Sequence, residues 1–151
     1  MLCLLLAVLV LGTSACDPGP RPVKKQGPTE ILWDTWGVPH IFARDMPQLF
    51  YAFGWAQMAN HGDLVLELYG QARGRAAEYW GAGYVQGDQY VRIMDVPQRA
   101  RAWYHAQSLQ MRAYLDAFVA GMNAYAQAHP DRLDPDTVSY THLTLPTKRI
   151  V

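Results

Sequence analysis

The sequence predicts an α+β chain, mostly helical after a short β-hairpin, and three observations carry that expectation. Ile31, Trp33 and Thr35 alternate with Leu32, Asp34 and Trp36 in a stretch rich in β-branched and aromatic residues, the pattern of a strand. Gly37 then supplies backbone freedom and Pro39 forces Val38 into an extended conformation, so the chain turns into a second strand from His40 to Ala43. Beyond Asp45, apolar residues recur at three- and four-residue steps, from Leu49 to Leu68 and again from Met111 to Ala126, the spacing of amphipathic helices.

Composition narrows the function classes. The 151 residues are 50% hydrophobic and 17% charged, which suits a folded core and not general disorder. Thirteen basic residues balance thirteen acidic ones, so no whole-molecule field draws in nucleic acid or an anionic membrane surface. His40, His61, His105, His129 and His142 are scattered, with no pair at the i,i+4 spacing that sets two ligands on one helix face, and no metal site or cofactor is predicted.

Residues 1–15 form a unit of their own. Leu2 to Leu11 is an apolar run of roughly ten residues, short of the ~20 that span a bilayer, and it ends in the small residues Gly12-Thr13-Ser14-Ala15. This reads as a secretory signal. Cys16 follows at once and resembles the lipid-modified cysteine of bacterial lipoproteins, with Asp17, Pro18, Gly19, Pro20 and Pro22 in a tether over residues 16–28. The protein is therefore expected to be exported, and held at a membrane if Cys16 is lipidated. The second cysteine, Cys3, lies inside the signal, so the mature domain is expected to hold no disulfide.

Domain material is expected over residues 29–134. Asp45 with Gln48 three residues on is a reciprocal helix cap, and Pro47 is tolerated in the first turn. Leu49, Phe50, Phe53, Ala56, Leu64, Val65 and Leu68 are predicted as the buried face, with Gly54 and Gly62 kept for close packing. Gln57, Asn60 and His61 share a second face. They form either a structural hydrogen-bond network or a patch bordering a substrate cleft.

His40 has two readings as well, a general base or ligand, or a residue that bonds backbone and holds the bend. Arg73, Arg75 and Glu78, with Gly74 between the arginines, pair with one another or bind an anion given further donors. Gly81 to Gly87 reads as a loop without phosphate-binding spacing, and the chain is expected to break at Pro97 before a helix over Gln98 to Tyr104. A last helix begins at Ser108, buries Met111, Leu115, Phe118, Val119, Met122 and Ala126, and stops before His129-Pro130.

Four motifs in this order resemble one family. They are Gly37-Val38-Pro39-His40-Ile41, the helix with Phe53-Gly54-Trp55-Ala56-Gln57, the close Arg73-Gly74-Arg75-Ala76-Ala77-Glu78-Tyr79-Trp80-Gly81, and Tyr114 to Tyr125 with Gly121 and Asn123. Together they resemble the opening of the alpha segment of the penicillin acylase family of N-terminal nucleophile hydrolases. The resemblance implies the largely helical part of an αββα sandwich. It also implies a precursor that cuts itself to expose a serine at the start of a beta segment, and a substrate with an acyl-amide bond such as a beta-lactam or an acyl-homoserine lactone.

Calcium is implied only for a longer parent, chiefly with beta-segment ligands. Gly37, Pro39, His40, Gln57, Arg73, Gly74, Glu78, Gly81 and Asn123 are motif positions of scaffold type, and no catalytic residue is assigned. Ser108 and Ser139 lack any cleavage context. Residues 135–151 match nothing that follows in the family and read as a non-native tail, so the chain is expected to be an inactive piece of the alpha segment. The competing reading is a lipid-anchored binding or assembly module on the same scaffold, which would need no processed N-terminal Ser, Thr or Cys.

Overall fold

A computed structural model of the chain describes residues 28–135; the signal, Cys16, most of the tether and all but the first residue of the tail lie outside them. Strands β1 (Glu30–Trp33) and β2 (Pro39–Phe42) pair antiparallel, with Glu30 opposite Phe42, Ile31 opposite Ile41, Leu32 opposite His40 and Trp33 opposite Pro39. Ile31 and Ile41 are the half-buried cross-strand pair, and their neighbours Leu32, His40 and Phe42 are exposed. The hairpin predicted from the alternation and the Gly-Val-Pro turn is therefore present, and Gly37 takes the left-handed φ of 75° that the turn needs.

Helix α1 (Met46–Ala72) starts where Asp45 accepts the Gln48 N–H at 2.8 Å. The reciprocal half of the cap is not made. The Gln48 side-chain oxygen Oε1 accepts from the Thr29 hydroxyl at 3.0 Å and ties the start of β1 to the helix instead. At His61 the backbone leaves helical values (φ −140°, ψ 34°), so α1 is two helical stretches joined at a kink, just before Gly62.

The core lies between α1 and α5 (Leu109–Ala128). Ser108 caps α5 by accepting the Met111 N–H at 3.1 Å, and the helix ends at Ala128, both as the sequence predicts. Met58, Leu66, Val119, Met122, Tyr125, Ala126 and Leu133 form the buried cluster, with Trp55, Val65, Tyr69 and Phe118 packed on it. A Cβ on Gly54 would meet the Phe118 carbonyl, and one on Gly121 would meet the Tyr51 carbonyl. The two helices thus touch backbone to backbone at two points, which only glycine permits.

That close approach corrects the predicted buried face. Ala52, Gly54, Ala56, Met58, Gly62, Leu66 and Gly70 are what α1 buries, whereas Phe53, Leu64 and Leu68 are exposed. Gly54 faces α5 and lets the axes come together, whereas Gly62 lies against Leu133 and Gly70 against the Trp80 ring. On α5 the predicted stripe holds at Val119, Met122 and Ala126, while Met111 is exposed.

The remaining elements are short. They are α2 (Ala76–Trp80), a 3-10 turn (Ala82–Tyr84), α3 (Val85–Ile93), α4 (Val96–Ala106) and a 3-10 turn (Pro130–Arg132) after α5. Two predictions fail here. Residues 81–87 are not loop, because Tyr84 leads directly into α3. The break is at Asp95, held at φ 54°, and Pro97 sits in the first turn of α4, where its missing N–H leaves no bond unmade. No helix among the described residues is long and apolar enough to cross a membrane.

Candidate functional site

Most of the motif positions gather into two structural clamps, one at the hairpin and one at the close after α1. The first clamp closes the hairpin. Asp34 Oδ1 accepts the backbone N–H groups of Trp36 and Val38, each at 2.9 Å, and Asp34 Oδ2 lies 3.3 Å from His40 Nε2. The Val38 N–H is the main reason the Asp34 carboxyl stays below its ordinary value, with the His40 imidazole adding to it. His40 accordingly holds the bend, but through the Asp34 carboxylate and not through backbone as expected. Asn60 Nδ2 donates to the Gly37 carbonyl at 3.2 Å, which joins the tip of the turn to α1.

This separates the predicted polar face. Asn60 fits the structural-network reading, Gln57 lies on the half-buried side, and His61 is exposed at the kink. Pro39 is half-buried in β2, opposite Trp33.

The second clamp explains the Arg-Gly-Arg-Ala-Ala-Glu motif. Gly74 turns the chain out of α1 at φ 65°. The buried carboxylate of Asp88 then accepts the Ala76 N–H at 2.9 Å with one oxygen and the Ala77 N–H at 2.8 Å with the other, capping α2 from α3. Arg92 donates from Nε and Nη2 to the Gly74 carbonyl at 3.1 and 2.9 Å. Arg75 holds Glu78 at 2.7 Å, and Arg92 approaches it at 3.9 Å, so the Glu78 carboxyl lies below its usual range, chiefly through the Arg75 hydrogen bond.

Structural pairing is thus what Arg75 and Glu78 do, as one of the two readings held. Arg73 is the C-cap of α1, and Gly81 ends α2 at φ 94°. Asn123 lies half-buried on α5. Asp88 and Arg92, one helical turn apart on α3, both act on the 74–78 segment.

A cleft of about 310 Å³ lies where β1, α1, the end of α5 and the final 3-10 turn meet, lined by Trp33, Trp55, Asn60, Tyr125, His129 and Arg132. The Trp55 ring stands edge-on to Tyr125 at 5.4 Å and to His129 at 5.8 Å, and Tyr125 and His129 are 4.7 Å apart. No lining residue but Asn60 was singled out in the sequence for a site. The cleft joins parts of the chain some 70 to 100 residues apart, and local spacing carries no trace of it.

Among the described residues no three His, Cys, Asp or Glu side chains gather into a group that could hold a metal ion. Nor does either clamp present a nucleophile beside a base. Both use their polar groups on backbone.

Comparison with known proteins places this architecture. The penicillin amidase pattern matches residues 28–148, which runs past the boundary after residue 134. A penicillin acylase 2 proenzyme of a Pseudomonas species is 31% identical over 98 residues, covering 65% of this chain and 13% of that protein. Penicillin G acylase of Escherichia coli is 31% identical over 110 residues, or 70% of this chain and 13% of that one. The acyl-homoserine lactone acylase QuiP of Pseudomonas fluorescens is 26% identical over 122 residues, 80% of this chain and 15% of that one.

Among solved structures, a thermostable penicillin G acylase from Alcaligenes faecalis superposes with a TM-score of 0.64 at 26% identity, covering 79% of this chain and 65% of that chain. The chain therefore spans about a seventh of the length of the curated relatives it matches. With the hairpin, the α1–α5 pair and the Gly74–Glu78 close in the order the motifs require, the fold is the helical part of an N-terminal nucleophile hydrolase, and the chain belongs to the penicillin amidase family.

Proposed function

We propose that this chain is part of an exported amidohydrolase that removes the acyl group from N-acylated substrates such as beta-lactams or acyl-homoserine lactones. The observation that carries the reading is the family match over residues 28–148, joined to relatives whose names are those of penicillin and homoserine-lactone acylases. The nucleophile is a serine that self-cleavage places first in a beta segment beyond this chain. Its own α-amino group, with an ordinary pKa near ~8, takes the hydroxyl proton as the oxygen attacks the amide carbonyl. Hydrogen-bond donors stabilise the oxyanion, the amine leaves, and water releases the acid.

Residues 29–134 contribute scaffold to that reaction. Phe53, Leu64, Leu68, Ile93 and Trp103 are exposed apolar surface which the beta segment of the same precursor covers, and calcium, where the longer protein holds it, takes its ligands there. Residues 1–15 direct export, and Cys16 carries the lipid that tethers the enzyme in the periplasm.

The test is expression of the whole source reading frame. Mass spectrometry should find two chains, the second beginning with Ser, and the enzyme should release amine from penicillin G or an acyl-homoserine lactone. Substituting that Ser with Ala should abolish both cleavage and turnover. An uncleaved product without amide hydrolysis would sink the proposal. Residues 1–151 alone should show no turnover. Labelled palmitate should enter the wild type and not Cys16→Ser.

A further inference from the structure

We infer that the cleft between the hairpin and the end of α5 is a binding site for a small aromatic carboxylate. Its walls suit a planar apolar body. Trp33 from β1, Trp55 from α1 and Tyr125 from α5 supply three aromatic rings, and the edge-on packing of Trp55 against Tyr125 and His129 fixes how those rings stand. A volume of about 310 Å³ is at the small end for ligand pockets. It is room for roughly ten water-sized units, enough for a single ring with its acid group and little more.

The polar groups select charge. No Asp or Glu lines the cleft, while Arg132 does, and among the described residues its guanidinium has no hydrogen-bond or carboxylate partner. A guanidinium offers two parallel N–H donors that match a carboxylate edge, and here it stands exposed at the rim of an open cleft lined by aromatic rings. Asn60 spends one amide N–H on the Gly37 carbonyl and leaves its oxygen and its second N–H to orient a ligand or its bound water. His129 adds an imidazole to the same wall. None of these side chains has a part in the proposed amide hydrolysis, so the inference does not rest on it.

The test uses the 151-residue chain and benzoate, with benzamide as the neutral control. The protein has five tryptophans, whose indole N–H signals are separable in a proton–nitrogen spectrum and assignable with Trp33→Phe and Trp55→Phe. Benzoate should shift the Trp33 and Trp55 signals saturably and leave Trp36, Trp80 and Trp103 unmoved. Arg132→Gln, an exposed substitution, should weaken benzoate by about tenfold or more, and benzamide should bind wild type and variant equally weakly. Uniform shifts of all five indoles, equal benzoate binding by Arg132→Gln, or benzamide binding as tight as benzoate would overturn the inference. So would an undispersed indole region, since the cleft would then not be assembled in this chain.

Discussion

Asp88 holds the N–H of Ala76 at 2.9 Å from twelve residues away, and its second oxygen holds the N–H of Ala77. Helix α2 is only five residues long and has no cap of its own, so the start of the helix depends on this one buried carboxylate. Asp88→Ala would leave two N–H groups without acceptors and should cost about 1–3 kcal/mol in urea unfolding. Asp88→Asn keeps one acceptor and should cost less. Hydrogen exchange at Ala76 and Ala77 should rise in the Ala variant, and unchanged exchange at those two amides would remove the capping role.

Gly54→Ala and Gly121→Ala should each destabilise by about 1–3 kcal/mol or more, because the new methyl runs into a carbonyl of the facing helix. Gly87→Ala is the control. A Cβ there meets nothing within 4 Å and the residue is inside α3, so that variant should gain roughly 0.5–1 kcal/mol. Urea midpoints of the three variants decide the matter, and three equal shifts would contradict the close packing.

Asn60→Ala removes the bond to Gly37 and should cost about 0.5–1.5 kcal/mol while leaving the α1–α5 core in place. The local signature is faster exchange of the Gly37 and Val38 amides at an almost unchanged far-ultraviolet spectrum. Protection of those amides in Asn60→Ala equal to wild type would mean that the turn does not need the helix.

Asp34 and Glu78 both titrate below their ordinary values when folded, Asp34 mainly through the Val38 N–H and Glu78 mainly through Arg75. A carboxyl depressed by folding stabilises the native state above its unfolded pKa, and that contribution is lost as pH falls through the folded value. The melting temperature should therefore drop from about pH 4 downward, and Asp34→Asn or Glu78→Gln should flatten the drop. Glu78 is exposed and Asp34 only half-buried, so the effect is small, and added salt should weaken the Glu78 part. A wild-type profile no steeper than that of Asp34→Asn would refute the hairpin clamp.

Much of the fold was legible in local pattern. The alternation through Trp33, the turn at Gly37, the caps at Asp45 and Ser108 and the stop at Ala128 are all consequences of neighbouring residues, and they stand. The buried face of α1 was not, because periodicity weights large apolar side chains, whereas two helices in backbone contact select the small ones. Phe53, Leu64 and Leu68 looked like core and lie open; Ala52 and Gly70 looked incidental and are buried, Gly70 against the Trp80 ring, while Gly54 packs as closely as the sequence suggests. His40 was placed in the right turn with the wrong partner, since nothing in Pro39-His40-Ile41 points to a carboxylate six residues back. The cap from Asp88 and the cleft around Trp55 and Arg132 join distant segments, which only the folded chain brings together.

The two glycine contacts between α1 and α5 are mutual, each lodging first against main chain of the facing helix. In most helix pairs a bulkier residue on one side can be offset by a trimmed residue on the other. Here nothing on the partner can be trimmed. Among relatives that keep this helix pair, positions 54 and 121 should show no compensatory covariation: each should stay glycine independently, and both should change only where the helices have moved apart.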